Sequence, residues 1–457
     1  MAQDTSVFLT FIGLAIIVSI VALLIKGKIS PIVGMTIIPI IGALVAGFGF
    51  EEITSFFEEG VSQVMNVVIM FIFAITFFGI MQDSGLFNPL VRGMILATKG
   101  NVIIVAMGTA VIGTFVQLDG AGATTFLLSI PALLPLYHAL HMSRYLLLLI
   151  IATSAGVMNM VPWGGATGRA ASVLGVDPVD LWFPLIPLQI FGFFLVLGLA
   201  ALLGIREKRR IAKRVENGEI ERNDYVDVRA IADDFTKRQQ EAEEASEEKR
   251  VKHPSMIWIN LTLTIGIITL MVADIAPPEF AFMIGVAIAL PLNYRSVSDQ
   301  MGRVRAHAPS ALMMASVILA AGVFLGVLNG SGMLDSIALS MLAVLPEAVG
   351  PYLHVIVGAL GVPMDLLTST DAYYFAMLPL VEATAGEFGV PADSTAYAML
   401  IGNIIGTFIS PFAPALWLAI GLAGANMGMH IKYSFFWMWG FSIVMLIAAY
   451  FMGIFTV

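Results

Sequence analysis

The apolar positions of this chain come in long unbroken runs rather than at the spacing of an amphipathic helix or strand. Runs lie at about 6–25, 30–49, 62–82, 145–175 and 182–204, and a second set at about 255–275, 278–294, 308–330, 395–426 and 432–455. Each is long enough to cross a hydrocarbon layer of roughly 30 Å as a helix rising about 1.5 Å per residue. Two segments, 101–140 and 351–386, break the pattern. Each holds two apolar arms of about 15 residues around a polar centre, and such an arm reaches only about 22 Å. They are expected to be re-entrant hairpins with tips near the midplane. Irregular backbone at that depth is tolerated only inside protein or beside a water-filled cavity.

The two sets repeat one another. Phe78-Gly79-Ile80-Met81-Gln82-Asp83-Ser84-Gly85-Leu86 matches Leu325-Gly326-Val327-Leu328-Asn329-Gly330-Ser331-Gly332-Met333 at an offset of 247 residues. Leu118-Asp119 and Thr124 match Met364-Asp365 and Thr370 at an offset of 246. A proline-containing break follows each hairpin, near Pro162 and near Pro411 and Pro414. Each half thus reads span, span, span, hairpin, span, span. Five crossings per half invert the second copy relative to the first, an arrangement found in transporters. The expected fold is an all-α polytopic membrane protein of two inverted-topology repeats. Each repeat has five transmembrane helices, one of them broken, plus one re-entrant hairpin. The expected units are 1–98 (scaffold helices), 99–205 (first hairpin and transport-domain helices), 206–254 (charged linker), 255–349 (scaffold) and 350–457 (second hairpin and transport-domain helices).

Composition supports membrane embedding. Of 457 residues 58% are hydrophobic and 12% charged, against roughly 25% charged in a soluble protein. There is no cysteine, which excludes disulfides and thiolate metal sites. Residues 206–254 carry 13 Lys/Arg and 13 Asp/Glu, so the net charge of −9 belongs to the remainder. Acidity there is no nucleic-acid signature. The first residues carry Asp4 and no Lys or Arg, so the N-terminus lacks the basic region of a signal peptide and is expected to be a retained span. With both termini outside, Lys26, Lys28, Arg92, Lys99, Arg144, the 206–254 linker, Arg295, Arg303, Arg305 and Lys432 fall inside. Glu51, Glu52, Glu58, Glu59, Asp177, Asp180, Glu279, Glu347, Glu387 and Asp393 fall outside, as the positive-inside rule asks of a multi-pass inner (plasma) membrane protein. The linker is expected to be a solvated cytoplasmic helical connector.

The chemistry concentrates at the tips and breaks. An aspartate near the bilayer centre costs about 2.5–3.5 kcal/mol on insertion scales, so Asp119 and Asp365 at matching positions need a reason. They bind substrate, metal or proton, or they cap their own tips. Asp371 is either a third cation or proton residue or an N-cap. Thr124, Thr125, Ser369 and Thr370 begin the second arms, where free N–H groups and hydroxyls suit an anionic oxygen, or where the hydroxyls simply cap the helices. Gly120 and Gly122 in the tip, and Gly164 and Gly165 in the first break, expose main-chain polar groups. Asn159 and Thr167 in that break, and Asn403, Thr407 and Ser410 in the second, contact substrate or bond helix to helix. Arg169 pairs a substrate carboxylate, neutralises a resident aspartate, or snorkels to the surface. Trp163 walls a cavity or packs. No nucleotide loop, metalloprotease motif or nucleophile elbow appears, so an enzyme is not expected.

With these residues in view, the chain resembles the citrate–divalent metal:proton symporters of the ion transporter superfamily. The likeness spans essentially the full length. Its sharpest parts are Phe78-Gly79-Ile80-Met81 with Asp83, Ser84-Gly85-Leu86-Phe87, the Leu118-Asp119-Gly120 tip, and Met158 to Gly165 running through Arg169-Ala170-Ala171-Ser172. The resemblance implies symport of citrate complexed with Mg²⁺ or Ca²⁺ and coupled to protons, with no resident cofactor. The wider superfamily implies a homodimer in lipid whose hairpin domain moves against a scaffold, an elevator form of alternating access. Members tend to carry a second acid and a further threonine where this tip has Ala121 and Ala123, and Pro where this chain has Ala166 and Gly168. Two alternatives stand beside this reading: a cation/proton antiporter using Asp119 and Asp365 without organic substrate, and a Na⁺-coupled carboxylate symporter carrying no metal.

Overall fold

The computed structural model describes the chain except residues 1, 27, 121, 222–225, 246–249, 252–254, 274 and 347. Met1, Ala121, Glu347 and parts of the charged linker therefore lie outside the described residues. Among the described residues the regular elements are helical, apart from one isolated bridge between Arg250 and Tyr294.

The first half comprises α1 (Ala2–Ile25), α2 (Pro31–Ala46), α3 (Phe50–Asp83), α4 (Asn88–Thr98), the hairpin arms α5 (Val102–Val116) and α6 (Gly122–Ala139), the pair α7 (Arg144–Met158) and α8 (Gly165–Leu174), the short α9 (Pro178–Trp182), and α10 (Ile186–Glu216). Helix α11 (Val228–Glu244) lies between the halves. The second half repeats the succession: α12 (Met256–Val272), α13 (Pro278–Asn293), α14 (Val297–Gly330), α15 (Met333–Val344), then a hairpin. Its first arm is α16 (Leu353–Ala359) with α17 (Gly361–Leu367), bent by 64°. Its second arm is α18 (Thr370–Ala372), a π-helical turn (Tyr373–Met377) and α19 (Leu378–Gly386). The broken pair α20 (Ala392–Asn403) and α21 (Pro414–Leu422) and the final α22 (Met427–Phe451) complete it.

Among the described residues six helices are long and apolar enough to cross a membrane, or seven with the bent pair. Their outward faces are apolar, with Phe11, Phe194 and Phe436 exposed, as a lipid-facing surface requires. Val102–Asp119 is among the six, so length alone does not separate the first hairpin arm from a crossing. Two central helices far exceed their expected spans. α3 and α14 each run 34 residues, roughly 51 Å at about 1.5 Å per residue. Glu51, Glu52, Glu58 and Glu59 therefore sit on exposed early turns of α3 rather than in a loop. Glu52 closes that end by accepting the Gly49 N–H at 2.7 Å. The short helices α4 and α15 were not expected.

The crossing of α3 and α14 organises the centre. A Cβ on Gly60 would lie 2.1 Å from the Gly322 carbonyl oxygen, and one on Gly326 would lie 2.1 Å from that of Phe56. Only glycine permits this approach. Position 60 thus meets 326, and position 56 meets Gly330, whose own Cβ would strike the Phe56 ring. At the other end of the crossing the counterparts at offset 247 meet. Gly79 faces the His307 ring, and Asp83 pairs with Arg303 at 3.3 Å and with His307 at 2.7 Å. The start of each helix meets the end of the other, so α3 and α14 cross antiparallel, with twofold-related contacts. The flanking helices follow suit: α2 packs on α14, and α13 packs on α3.

The linker is more than a solvated connector. α10 continues through its first part to Glu216, and α11 packs on α4 and α6. Ala232 and Phe235, three apart on a helix rich in charge, are buried in that contact. Arg92 and Asp233 pair across it at 2.9 Å, and Arg250 donates to the Asp83 carbonyl at 3.0 Å.

Candidate functional site

Each tip is built around its aspartate. In the first, α5 tightens into a 3₁₀ turn, Gln117–Asp119, and the chain reverses at Gly120 with φ +73°. A Cβ there would also lie 2.7 Å from the Trp163 carbonyl oxygen, so both the turn and the close approach require glycine. Asp119 is buried and accepts a hydrogen bond from Thr124 Oγ1. Thr125 Oγ1 donates to Gln117 Oε1 at 2.6 Å. In the second tip, Asp365 is buried and accepts from Thr370 Oγ1 at 3.3 Å and from Asn403 Nδ2 at 2.9 Å. The two tips therefore use one device: the carboxylate accepts from the threonine five residues on. Both aspartates thus bond a hydroxyl of their own tip, and Asp365 also bonds the Asn403 amide of the second break.

The breaks are tied to the tips. Trp163 Nε1 donates to the Leu118 carbonyl at 2.7 Å, and the Trp163 ring stacks on Phe78 at 5.1 Å between centroids. Asn159 Oδ1 accepts the Gly165 N–H at 3.1 Å, capping the start of α8. Thr167 Oγ1 donates to the Met160 carbonyl at 2.8 Å. A Cβ on Gly164 would lie 2.2 Å from the Asn159 carbonyl oxygen. In the second break, Thr407 Oγ1 accepts from Thr370 at 3.2 Å, and Ser410 Oγ accepts the Phe412 N–H at 3.3 Å.

Where the tips and breaks meet there is a cavity of about 200 Å³. Of the sequence-predicted residues it gathers Gly120, Gly122, Asn159, Gly165, Arg169, Ser369, Thr370, Asp371 and Thr407. Asp119, Thr124, Thr125, Gly164, Thr167, Asp365, Asn403 and Ser410 do not line it; they hold the loops that do. Met314 of α14 also lines the cavity, so the site faces the central crossing. Met314, Phe408 and Phe412 escaped sequence reading because an apolar residue inside an apolar run carries no signal.

In the structure Arg169 is paired with the resident Asp371. Its Nε and Nη2 each lie 2.8 Å from Asp371 Oδ1, and its Nη1 donates to the Gly165 carbonyl at 2.7 Å. The side chains are 14% and 19% exposed, mostly withdrawn from water yet open to the cavity. The Ser369 hydroxyl caps the turn that presents Asp371, accepting the Ala372 N–H at 3.2 Å. Asp119, Asp365 and Asp371 do not converge, and among the described residues no three His, Asp or Glu side chains gather to hold a metal ion. Two buried polar atoms near the second tip, Asn403 Oδ1 and Tyr374 Oη, have no hydrogen-bond partner among the described residues. Sequence reading missed Tyr374, whose hydroxyl looks in sequence like any other in an apolar arm.

Residues 6–402 match the family model described as "Citrate transporter". Two relatives from Bacillus subtilis (strain 168) are each 35% identical. One, "Citrate transporter", aligns over 98% of this chain and 99% of its own length. The other, "Mg(2+)/citrate complex secondary transporter", aligns over 94% and 95%. Among solved structures, the Alcanivorax borkumensis YdaH transporter, described as having an unusual topology, superposes with a TM-score of 0.55. That likeness covers 86% of this chain and 87% of the other at 16% identity, and at that identity it speaks to the fold alone.

Proposed function

Because the chain belongs to the citrate transporter family, we propose that it is a secondary symporter of citrate or a related di- or tricarboxylate, carried as a divalent-metal complex and coupled to H⁺ or Na⁺. Family membership makes it a multi-pass membrane transporter and not an enzyme. The observation that carries the substrate reading is the cavity itself. Arg169, Gly165 at the start of α8 and the hydroxyl residues Ser369, Thr370 and Thr407 surround a space of about 200 Å³. A fixed guanidinium fork with hydroxyl donors suits a carboxylate better than a bare cation. The relative that transports a Mg²⁺–citrate complex supports the metal-complex reading.

In this reading the two halves sit inverted in the inner membrane, with both termini outside and the linker inside. Helices of 1–98 and 255–349 form the scaffold of a homodimer. The hairpins and broken helices of 99–205 and 350–457 carry the cavity past it by an elevator movement, with Asp119 or Asp365 binding the coupling cation. Uptake of labelled citrate into proteoliposomes, with and without Mg²⁺, Ca²⁺, Na⁺ and a pH gradient, tests the proposal. Metal-stimulated, gradient-driven uptake is expected. No uptake of any di- or tricarboxylate under any gradient refutes it, and Na⁺-driven proton movement without citrate would favour an antiporter.

A further inference from the structure

We propose that Arg169 and Asp371 part when substrate binds and take opposite ends of a metal–citrate complex: Arg169 a free carboxylate, Asp371 the divalent cation. The inference rests on the citrate reading above and assigns to Asp371 the selection of the complexed form.

Four observations lead to it. The pair joins the first break to the second tip across the cavity, so it occupies the place where substrate must go. Its geometry is one-sided. Both guanidinium contacts fall on Asp371 Oδ1, and among the described residues Oδ2 has no hydrogen-bond partner. Arg169 has a second anchor, the Gly165 carbonyl, which holds it in place when Asp371 leaves. Finally, Asp119 and Asp365 are turned into their own tips, and among the described residues no three acids or histidines converge. A divalent cation bound here must therefore bring most of its ligands with it, and a chelating citrate supplies them.

Charge decides which form of citrate fits. Arg169 and Asp371 are the two charged side chains lining the cavity, and they cancel. Free citrate entering as a trianion takes Arg169 and leaves the Asp371 carboxylate unpaired beside further negative charge. The complex enters as a monoanion whose carboxylate faces Arg169 and whose cation faces Asp371. The internal ion pair is then exchanged for two intermolecular ones, and no charge is stranded. Asp371 thus acts against the uncomplexed anion as much as for the complex.

The test is isothermal titration of the purified protein with citrate in EDTA and with citrate in excess Mg²⁺. Wild type should prefer the complex by a factor in the range of site-to-site coupling, roughly 5–150-fold. In Asp371→Asn that ratio should fall toward one, chiefly because free citrate binds more tightly. A ratio unchanged in Asp371→Asn overturns the inference and leaves the citrate reading intact, as does a wild type that binds both forms equally. A wild type that binds neither form sinks the citrate reading itself. Should Asp371→Asn not fold, wild type labelled with ¹³C at the aspartate side-chain carboxyl is loaded with Mn²⁺–citrate and read by electron–nuclear double resonance. A ¹³C coupling to Mn²⁺ is expected, and its absence overturns the inference.

Discussion

Replacing Gly326 by Ala tests whether the α3–α14 crossing is closed by backbone contact. The new Cβ would meet the Phe56 carbonyl oxygen at 2.1 Å and Gly60 Cα at 2.9 Å. Both are main-chain atoms, so no rotamer change relieves the clash. Moving the oxygen from 2.1 Å to ordinary contact at 3.4 Å needs a separation of about 1.3 Å. A gap of even about 0.5–1 Å forfeits a quarter to a half of the dispersion attraction at the atoms that lose contact. Overpacking of this kind costs about 1–3 kcal/mol, and the rigid neighbours place this case at the upper end. Gly198 on α10 is the control, because a Cβ there meets nothing within 4 Å. Ala at that position should be neutral or stabilising by about 0.5–1 kcal/mol, the usual helix preference for Ala over Gly. Thermal melting of the detergent-purified proteins compares the two. Gly326→Ala should melt well below wild type and Gly198→Ala at or above it. Citrate uptake should fall in the first, since Met314 of the same helix lines the cavity. Equal melting temperatures for the two variants would refute the close-contact argument.

Removing one partner of a withdrawn ion pair costs about 3–5 kcal/mol, and the slight exposure of Arg169 and Asp371 favours the lower figure. Arg169→Gln and Asp371→Asn should each lower the melting temperature and the double variant should recover part of the loss; strictly additive losses would show that the two do not interact. Gly120→Ala forces a side chain into φ +73° and against the Trp163 carbonyl, so about 1–3 kcal/mol of stability and much of the uptake should go; normal melting and normal uptake would remove the steric reading of the tip. Asp365→Asn should keep citrate binding by titration but lose dependence of uptake on an imposed pH or Na⁺ gradient. Unchanged gradient dependence would exclude Asp365 as the coupling residue.

What could be read from sequence follows from contrast. Gly, Pro, Asp and Thr inside an apolar run stand out, so both tips and both breaks were legible, and nine predicted residues share one cavity. Partner choice was not legible. Arg169 and Asp371 are 202 residues apart, and nothing local to either names the other. The same holds for Asp119 and Asp365, whose hydrogen bonds to the threonines of their own tips depend on how tightly each loop turns. α4 and α15 were missed because a short helix beside a long apolar run has no boundary of its own in hydropathy. The docking of α11 was legible in principle. Ala232 and Phe235 sit three apart on a helix rich in charge, the spacing that makes one narrow apolar face.

The repeat also shows how one backbone symmetry carries two chemistries. Gly79 and Gly326 are equivalent positions, yet each is required for a different reason. Gly326 admits the main chain of α3, whereas Gly79 admits the imidazole of His307, 2.4 Å from where a Cβ would be. His307 is in turn the counterpart of Gly60, so a glycine–glycine contact at one end of the crossing becomes a glycine–histidine contact at the other. One step further along, the apolar Phe56–Gly330 contact becomes the Arg303–Asp83 pair. Arg250, at the end of the linker, adds its hydrogen bond to the Asp83 carbonyl at this same end. A twofold axis demands that helices meet at matching places; it does not demand matching side chains. The difference has a physical cause if the halves are inverted in the bilayer. The two ends of the crossing then face opposite sides, and in the topology proposed above the arginine-rich, linker-covered end is the cytoplasmic one. On that account the charged end should tolerate polar substitution at Asp83 and His307 far better than the Gly60–Gly326 end tolerates any added side chain.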